Sequence, residues 1–220
     1  MSSRLSAWPG MLCLLAALLA PVAAPAAVLV PTNATWRFLR GTNEASLPDP
    51  AAWQGTNFSD AAFADAAAPF WYGDVRPGGT QLGDMINNYS CVFLRRTMVV
   101  SNLSSFCALR FDYFIDDGFI VWINGTEVLR VNVEPGAVTR STLATNQPID
   151  PAPWEAAVVG SAGEFLREGT NLVAIQAFNT SLASSDFGFD CAISTLEGET
   201  APPLVVSVDP APGSLPVLDQ

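Results

Sequence analysis

The sequence predicts an all-β protein, an antiparallel β-sandwich or jelly roll, and three observations predict it. Short apolar and aromatic runs alternate with a period of two and are separated by turn formers. An Asn-Gly pair, Asn124-Gly125, sits between two strand-like runs, which is the strongest short signal for a hairpin. Helical periodicity is almost absent, and runs of short strands without helices pack as sandwiches or barrels. With 13 Phe, 6 Trp, 50% hydrophobic and only 14% charged residues, a sizeable core can be buried, so the acidic balance does not signal disorder.

Taken from the start, Arg4, the apolar run MLCLLAALLA (11–20) and the small residues PVAAPAA form the layout of a secretory signal peptide, residues 1–26, cleaved after Ala26. The apolar run is shorter than the roughly 20 residues needed to span a bilayer. The chain is therefore expected to be secreted or held at the cell surface, with no membrane span after cleavage. TWRFLR (35–40) sets Trp36 and Phe38 on one strand face, and 53–68 reads as irregular chain pinned by Trp53, Phe58 and Phe63, with a short helical turn over 60–67. CVFLRRTMVV (91–100) alternates Val92, Leu94 and Met98 against Cys91, Arg95 and Thr97. CALRFDYFI (107–115) puts Cys107, Leu109, Phe111, Tyr113 and Ile115 on one face. With the Asp117-Gly118 turn, the run 119–123 and the hairpin to 126–131, this region reads as a meander of adjacent antiparallel strands.

Further on, a Gly-Thr-Asn turn leads into a strand ending at Phe178 that is apolar on both faces, the mark of a central strand. FGFDCAIST (187–195) is the last clear strand. GETAPP (198–203) reads as a linker, and 204–220 as the start of a truncated second domain, since its one strand candidate cannot bury its own face.

Charge and missing residue types exclude several function classes. Without the signal segment, nine arginines face 21 acidic residues, a net charge of −12, so nucleic acid and anionic membrane surfaces are unsuited partners. Neutral glycans, cations and basic partners are not excluded. The chain has no His and every basic residue is Arg. That removes a Ser-His-Asp triad, a histidine zinc site and a Schiff-base lysine.

The stretches FLRRTMVV, LRFDYFIDDGFIVWINGTEVLR and LREGTNLVAIQAFN resemble the galactose-binding-like jelly roll, in particular the sugar-binding domains attached to β-galactosidase-type glycosidases. WRFLR, AAWQGTNFSDAAF, PFWYGD and SSDFGFDCAI look like modules of large secreted bacterial proteins, and VVSVDPAPGS resembles the opening strand of an immunoglobulin-like domain. The resemblance spans about 34–197 and implies one β-sandwich domain over 27–197. It also implies that any catalytic residues lie in other domains, so the chain is expected not to be an enzyme. Members of this fold bind glycans, bind other ligands or act as spacers, so function has to be argued from a site.

Trp71, Tyr72 and Asp74, in PFWYGDVRPGG, form the candidate sugar site. Aromatic faces stack on a sugar ring while a carboxylate takes up hydroxyl hydrogen bonds. The alternative is that both aromatics plug the edge of the sandwich. Trp122, beside the hairpin, reads as core or sheet surface. Asp116 and Asp117, with Asp186 and Asp190, are candidate oxygen ligands for a structural calcium of the kind found in this fold, or a paired-carboxylate site. Asp116-Asp117-Gly118 also has a simpler reading as a turn. No cofactor is required by the sequence. Of the cysteines Cys91, Cys107 and Cys191, strand parity favours a Cys107–Cys191 disulfide, with buried free thiols as the alternative. Six of the eleven Asn begin Asn-x-Ser/Thr sequons, at 33, 57, 88, 102, 124 and 179. The expected function is a non-catalytic carbohydrate-binding module joined to further domains. The alternative is a ligand-free spacer, possible companion of a hydrolase domain beyond the C-terminus.

Overall fold

The computed structural model describes residues 27–197, apart from Val75 and 147–150. The signal segment 1–26, the linker 198–203 and the second-domain segment 204–220 lie outside the described residues. Among the described residues no helix is long and apolar enough to cross a membrane.

Two six-stranded sheets make a β-sandwich. The first, called here the front sheet, contains β1 (Val28–Val30), β4 (Phe70–Tyr72), β5 (Thr80–Gln81), β7 (Phe106–Asp116), β10 (Glu155–Val159) and β12 (Phe187–Glu197). Its order is β10-β7-β12-β4-β5, with β1 also on β12. The back sheet contains β2 (Thr35–Arg40), β3 (Ala64–Ala67), β6 (Cys91–Val100), β8 (Gly118–Ile123), β9 (Thr126–Val131) and β11 (Gly169–Phe178), in the order β3-β2-β6-β11-β8-β9. All pairings are antiparallel except β4 with β5.

Between the sheets, Trp36, Phe38, Phe70, Leu94, Phe111, Phe119, Phe187 and Phe189 form the main core. Each aromatic removes on the order of 150–250 Å² from water, which makes this layer the largest favourable contribution to folding. β11 is central, as its two apolar faces require, lying between β6 and β8. The hairpin also forms as expected: Asn124 (φ 53) and Gly125 (φ 89) both take the left-handed conformation that a two-residue turn between twisted strands needs.

The expected meander does not form. β6 lies in the back sheet, β7 in the front sheet and β8 in the back sheet again, so only β8 and β9 are a hairpin. The change of sheet happens at Asp117, where one residue separates β7 from β8; alternation within a strand does not reveal which sheet the strand joins. Of the helical turn expected over 60–67, only a turn closed by Phe63 N donating to Asp60 O forms; 64–67 is β3, drawn into extended form by pairing with β2. β10, which the sequence did not announce, adds the edge beyond β7.

The Cys107–Cys191 bond does not form, and all three described cysteines, Cys91, Cys107 and Cys191, are free. Leu196 pairs with Ala108 but Glu197 pairs with Phe106, so Cys107 is the extra residue of a β-bulge. The bulge turns Cys107 outward and gives its core position to Phe106. Cys191 lies opposite Tyr113, which at about 3.3 Å per residue leaves roughly 20 Å to Cys107 along the strand. A disulfide needs Cα atoms within about 7 Å. Cys191 is fully buried in the core and Cys91 beneath the cover of the back sheet; burial raises both thiols, Cys91 to about 12.

The back sheet also buries its outer surface. Trp53, Phe63, Phe93, Ile120, Trp122, Val133 and Phe178 form a second cluster under loops 41–63 and 132–146. Trp53 meets Phe93 and Trp122 edge-on at centroid distances of 5.0 and 5.6 Å. Arg95 fastens the cover: its guanidinium donates to the carbonyls of Trp53, Gly55 and Phe58 and to Asp60, and lies over the Phe58 ring. Burial lowers the Arg95 pKa, opposed by its bond to Asp60. Trp122 thus belongs to a core, as one of its two readings held.

Candidate functional site

The outer surface of the front sheet carries the candidate site, and strand alternation decides which residues reach it. Trp71 and Tyr72 lie in β4 and not in a loop, so as neighbours in a strand they point to opposite faces. Trp71 is half-buried on the outer face, with its indole N–H donating to Gly78 O at 2.9 Å. Tyr72 points into the core. Its hydroxyl donates to Ser184 O at 2.8 Å and accepts from Asn179 Nδ2 at 2.9 Å. Burial pushes its pKa up to about 12, and the charges of Asp186, Asp116 and Asp117 add to the rise. Tyr72 is therefore unavailable to a ligand at the outer face, and the edge-plug reading holds for it.

Across the sheet, Trp71 lies in register with Gly188, and Gly188 with Asp116. Gly188 has a packing reason: a Cβ there would come 3.0 Å from the Phe114 ring, which leans over it. Phe114 is flanked edge-on by Trp154 at 5.1 Å and covered by the Arg76 guanidinium at 4.6 Å. Trp154, just before β10, is 53% exposed, high for the largest apolar side chain. Asp74 stands 3.8 Å from Arg76, and among the described residues the buried Nε of Arg76 has no hydrogen-bond partner.

The result is a shallow face with aromatic surface from Trp71 and Trp154, underlain by the buried Phe114, and hydrogen-bonding groups from Arg76 and Asp74. Such a face can stack on the apolar side of a sugar ring and bond its hydroxyls. The structure brings Trp71 and Asp74 to this face and removes Tyr72 from it. Sequence reasoning missed Phe114, Trp154 and Arg76. Phe114 had a usable signal: it is an aromatic out of phase with the core positions Tyr113 and Ile115.

The acidic candidates take different roles in the fold. Asp117 is buried, and its Oδ2 accepts from Thr180 N at 2.6 Å, a tie to the segment after β11. Asp190 is buried and accepts from Asn33 N at 2.9 Å and Cys191 N at 2.8 Å; burial raises its pKa. Asp186 takes hydroxyl bonds from Ser184 and Ser185. Among the described residues no three acidic, Cys or His side chains converge on a point that could hold a metal ion.

The sequons divide as well. Asn124 and Asn179 use their side-chain amides inside the fold, Asn124 toward Phe165 O and Asn171 and Asn179 toward Tyr72 and Asp186 O. Asn33, Asn57, Asn88 and Asn102 are exposed.

The chain matches no family model and no curated protein. Solved structures do match. A β-glucuronidase from an uncultured Clostridium species aligns over 83% of this chain and 31% of its own, at 14% identity and a TM-score of 0.52. The fold is one that glycosidases carry. A glycosyl hydrolase family 2 member from Bacteroides cellulosilyticus aligns over 78% of this chain and 21% of its own, at 12% identity and a TM-score of 0.48. A Bifidobacterium dentium β-glucuronidase complexed with coumarin-3-O-glucuronide aligns over 70% and 20%, at 16% identity and a TM-score of 0.43. The chain thus spans less than a third of the length of these enzymes, and at such identities the likeness concerns the fold alone.

Proposed function

We propose that this chain is a non-catalytic, extracellular β-sandwich module of the galactose-binding-like kind, which binds carbohydrate on the outer face of the front sheet and belongs to a larger secreted protein. The observation that carries this reading is the exposed Trp154 beside Phe114, Arg76, Asp74 and Trp71. An aromatic this exposed beside a guanidinium and a carboxylate offers a ligand both stacking surface and hydrogen-bonding groups. The missing His and Lys and the short span relative to the glycosidases both support a non-catalytic role. The signal-like segment supports secretion.

A spacer role has an observation of its own in the Trp71 indole N–H, which is already satisfied by Gly78 O. Titrating the purified chain against a panel of neutral glycans, alongside Trp154→Ala and Trp71→Ala, separates the two. Saturable binding that weakens at least about tenfold in Trp154→Ala is expected, since stacking on an aromatic of this size contributes on the order of 1.5 kcal/mol. A folded chain that binds no glycan would leave the spacer.

A further inference from the structure

Within the covered outer cluster of the back sheet a nucleophile and an electrophile lie side by side. Cys91, at the start of β6, is in register with Phe178 of β11, and Gln176 with Phe93, so Cys91 and Gln176 are diagonal neighbours on the same face of adjacent strands. Between Leu172 and Phe178, Gln176 is the only polar residue of β11. Cys91 is fully buried and Gln176 is 1% exposed. Burying an amide among apolar side chains is unfavourable unless its hydrogen bonds are met. Gln176 Nε2 donates to Thr139 O at 3.0 Å and to Cys91 Sγ at 3.4 Å, and the thiol donates to Arg140 O at 3.4 Å. The other two described cysteines, Cys107 and Cys191, bond only to main-chain carbonyls.

An amide nitrogen lies about 1.33 Å from its carbonyl carbon, so Gln176 Cδ is no more than about 4.7 Å from Cys91 Sγ. Reacting atoms start from about 3–3.5 Å, a gap that rotation of the Gln176 side chain can close. The sulfur is held in place by Gly41, where a Cβ would come within 2.5 Å of it, and Gly41 N donates to Cys91 O at 2.9 Å. Burial pushes the thiol pKa up to about 12, with the Gln176 hydrogen bond working against the rise. Little thiolate is therefore present at any instant. A nucleophile fixed beside its target for the life of the protein nevertheless has an effective concentration far above any reached in solution.

We infer that Cys91 and Gln176 form an internal thioester that cross-links β6 to β11. Sγ attacks Cδ, the Sγ–Cδ bond forms as the Cδ–Nε2 bond breaks, and the thiol proton leaves with the nitrogen as ammonia, so no oxidant is needed. Escape of ammonia to solvent draws the exchange forward, and the dry cluster under loops 41–63 and 132–146 protects the product from hydrolysis. The product is an acyl donor. A primary amine that reaches it takes the acyl group as an amide and returns the Cys91 thiol. The cross-link belongs to the covered face and does not rest on glycan binding at the front sheet.

Intact-mass measurement of the purified chain, denatured in mild acid without a thiol reductant, tests it. The chain is expected to be lighter than its sequence by one ammonia and to take up one maleimide fewer than it has cysteines. Unfolded in methylamine, it should gain one methylamine and expose the missing thiol. Peptide mapping should place the loss on a linked pair of peptides containing Cys91 and Gln176. Because the Asn124-Gly125 turn can also lose ammonia by closing to a succinimide, Cys91→Ala is the control and should show its full mass. Gln176→Met, close in shape, should likewise show its full mass and label at every cysteine. Full mass with every cysteine labelled in the unaltered chain, an ammonia loss that persists in Cys91→Ala, or no uptake of methylamine would each overturn the inference. The unaltered chain alone can refute it, so a variant that fails to fold leaves the test standing.

Discussion

The two outer faces of the sandwich are built on opposite plans. The back sheet turns Phe93, Ile120, Trp122 and Phe178 away from the main core and then has to cover them, which it does with Trp53, Phe63 and a loop tied down by Arg95. The front sheet turns out Trp71, Phe114, Asp112 and Asp116, mixed in polarity, and is covered in patches, at Phe114 by Trp154 and Arg76 and at Asp190 by the chain around Asn33. A sheet face that is apolar throughout demands a second core, whereas a mixed face can stay open to solvent and to ligands. The difference shows why the module's aromatic content divides into structural and available residues, a division that composition conceals.

Breaking the covered face should cost most. Trp53→Ala is expected to destabilise the chain by about 3–5 kcal/mol, the range for deleting a buried Trp, measured as a shift of the urea unfolding midpoint. A loss under about 1 kcal/mol would mean that the second cluster hardly contributes. Next comes the support of the open face. Gly79 has φ +72, and a Cβ there would run into Pro69, so Gly79→Ala should cost about 1–3 kcal/mol in thermal unfolding and weaken glycan binding through the loop that carries Asp74 and Arg76.

A smaller effect belongs to Asp190, the covered spot on the front sheet. Burial raises its folded pKa above the unfolded value, so between the two values the folded state keeps a proton that the unfolded state has lost. Stability from this group is therefore fully present below the unfolded carboxylate pKa of about 3.9 and declines as pH rises through the folded value. Asp190→Asn should flatten that slope in unfolding measured from pH 3 upward, by roughly the share this one carboxyl contributes. The opposite slope change would show that the two backbone N–H bonds outweigh burial. Trp154→Ala should cost least, no more than about 1.5 kcal/mol, because it removes an exposed side chain and one edge-on contact. A larger loss would identify Trp154 as structural and close the case for an open ligand face.

Much of the fold is legible in the residues. The alternation in β6, β7, β11 and β12 and the Asn124-Gly125 turn carry their own local signatures, since period-two patterning and left-handed turn residues are properties of a few neighbouring positions. β3 and β10 carry none: ADAA and EAAVV are extended because β2 and β7 offer free edges to pair with. The candidate site was half legible. Trp71 and Asp74 could be picked out as an aromatic and a carboxylate in a Gly- and Pro-rich stretch. Trp154 reaches Phe114 only because β10 adds to β7, some forty residues away in sequence.

What the sequence determined by itself, then, was the strand content, the one tight hairpin, the central place of β11 and the exclusion of histidine and lysine chemistry, because each depends on residue type or on local periodicity. The tertiary structure alone decided which sheet each strand joins, which face of a strand becomes core, and where a bulge reverses the alternation. Tyr72 and Trp71 are neighbours with similar side chains, yet one is sealed beneath Asn179 and the other lies beside an open surface. Cys107 leaves the core through one inserted residue in the β7–β12 ladder. The physical reason is the same in each case: a period of two says that faces differ, but only long-range pairing says what each face meets.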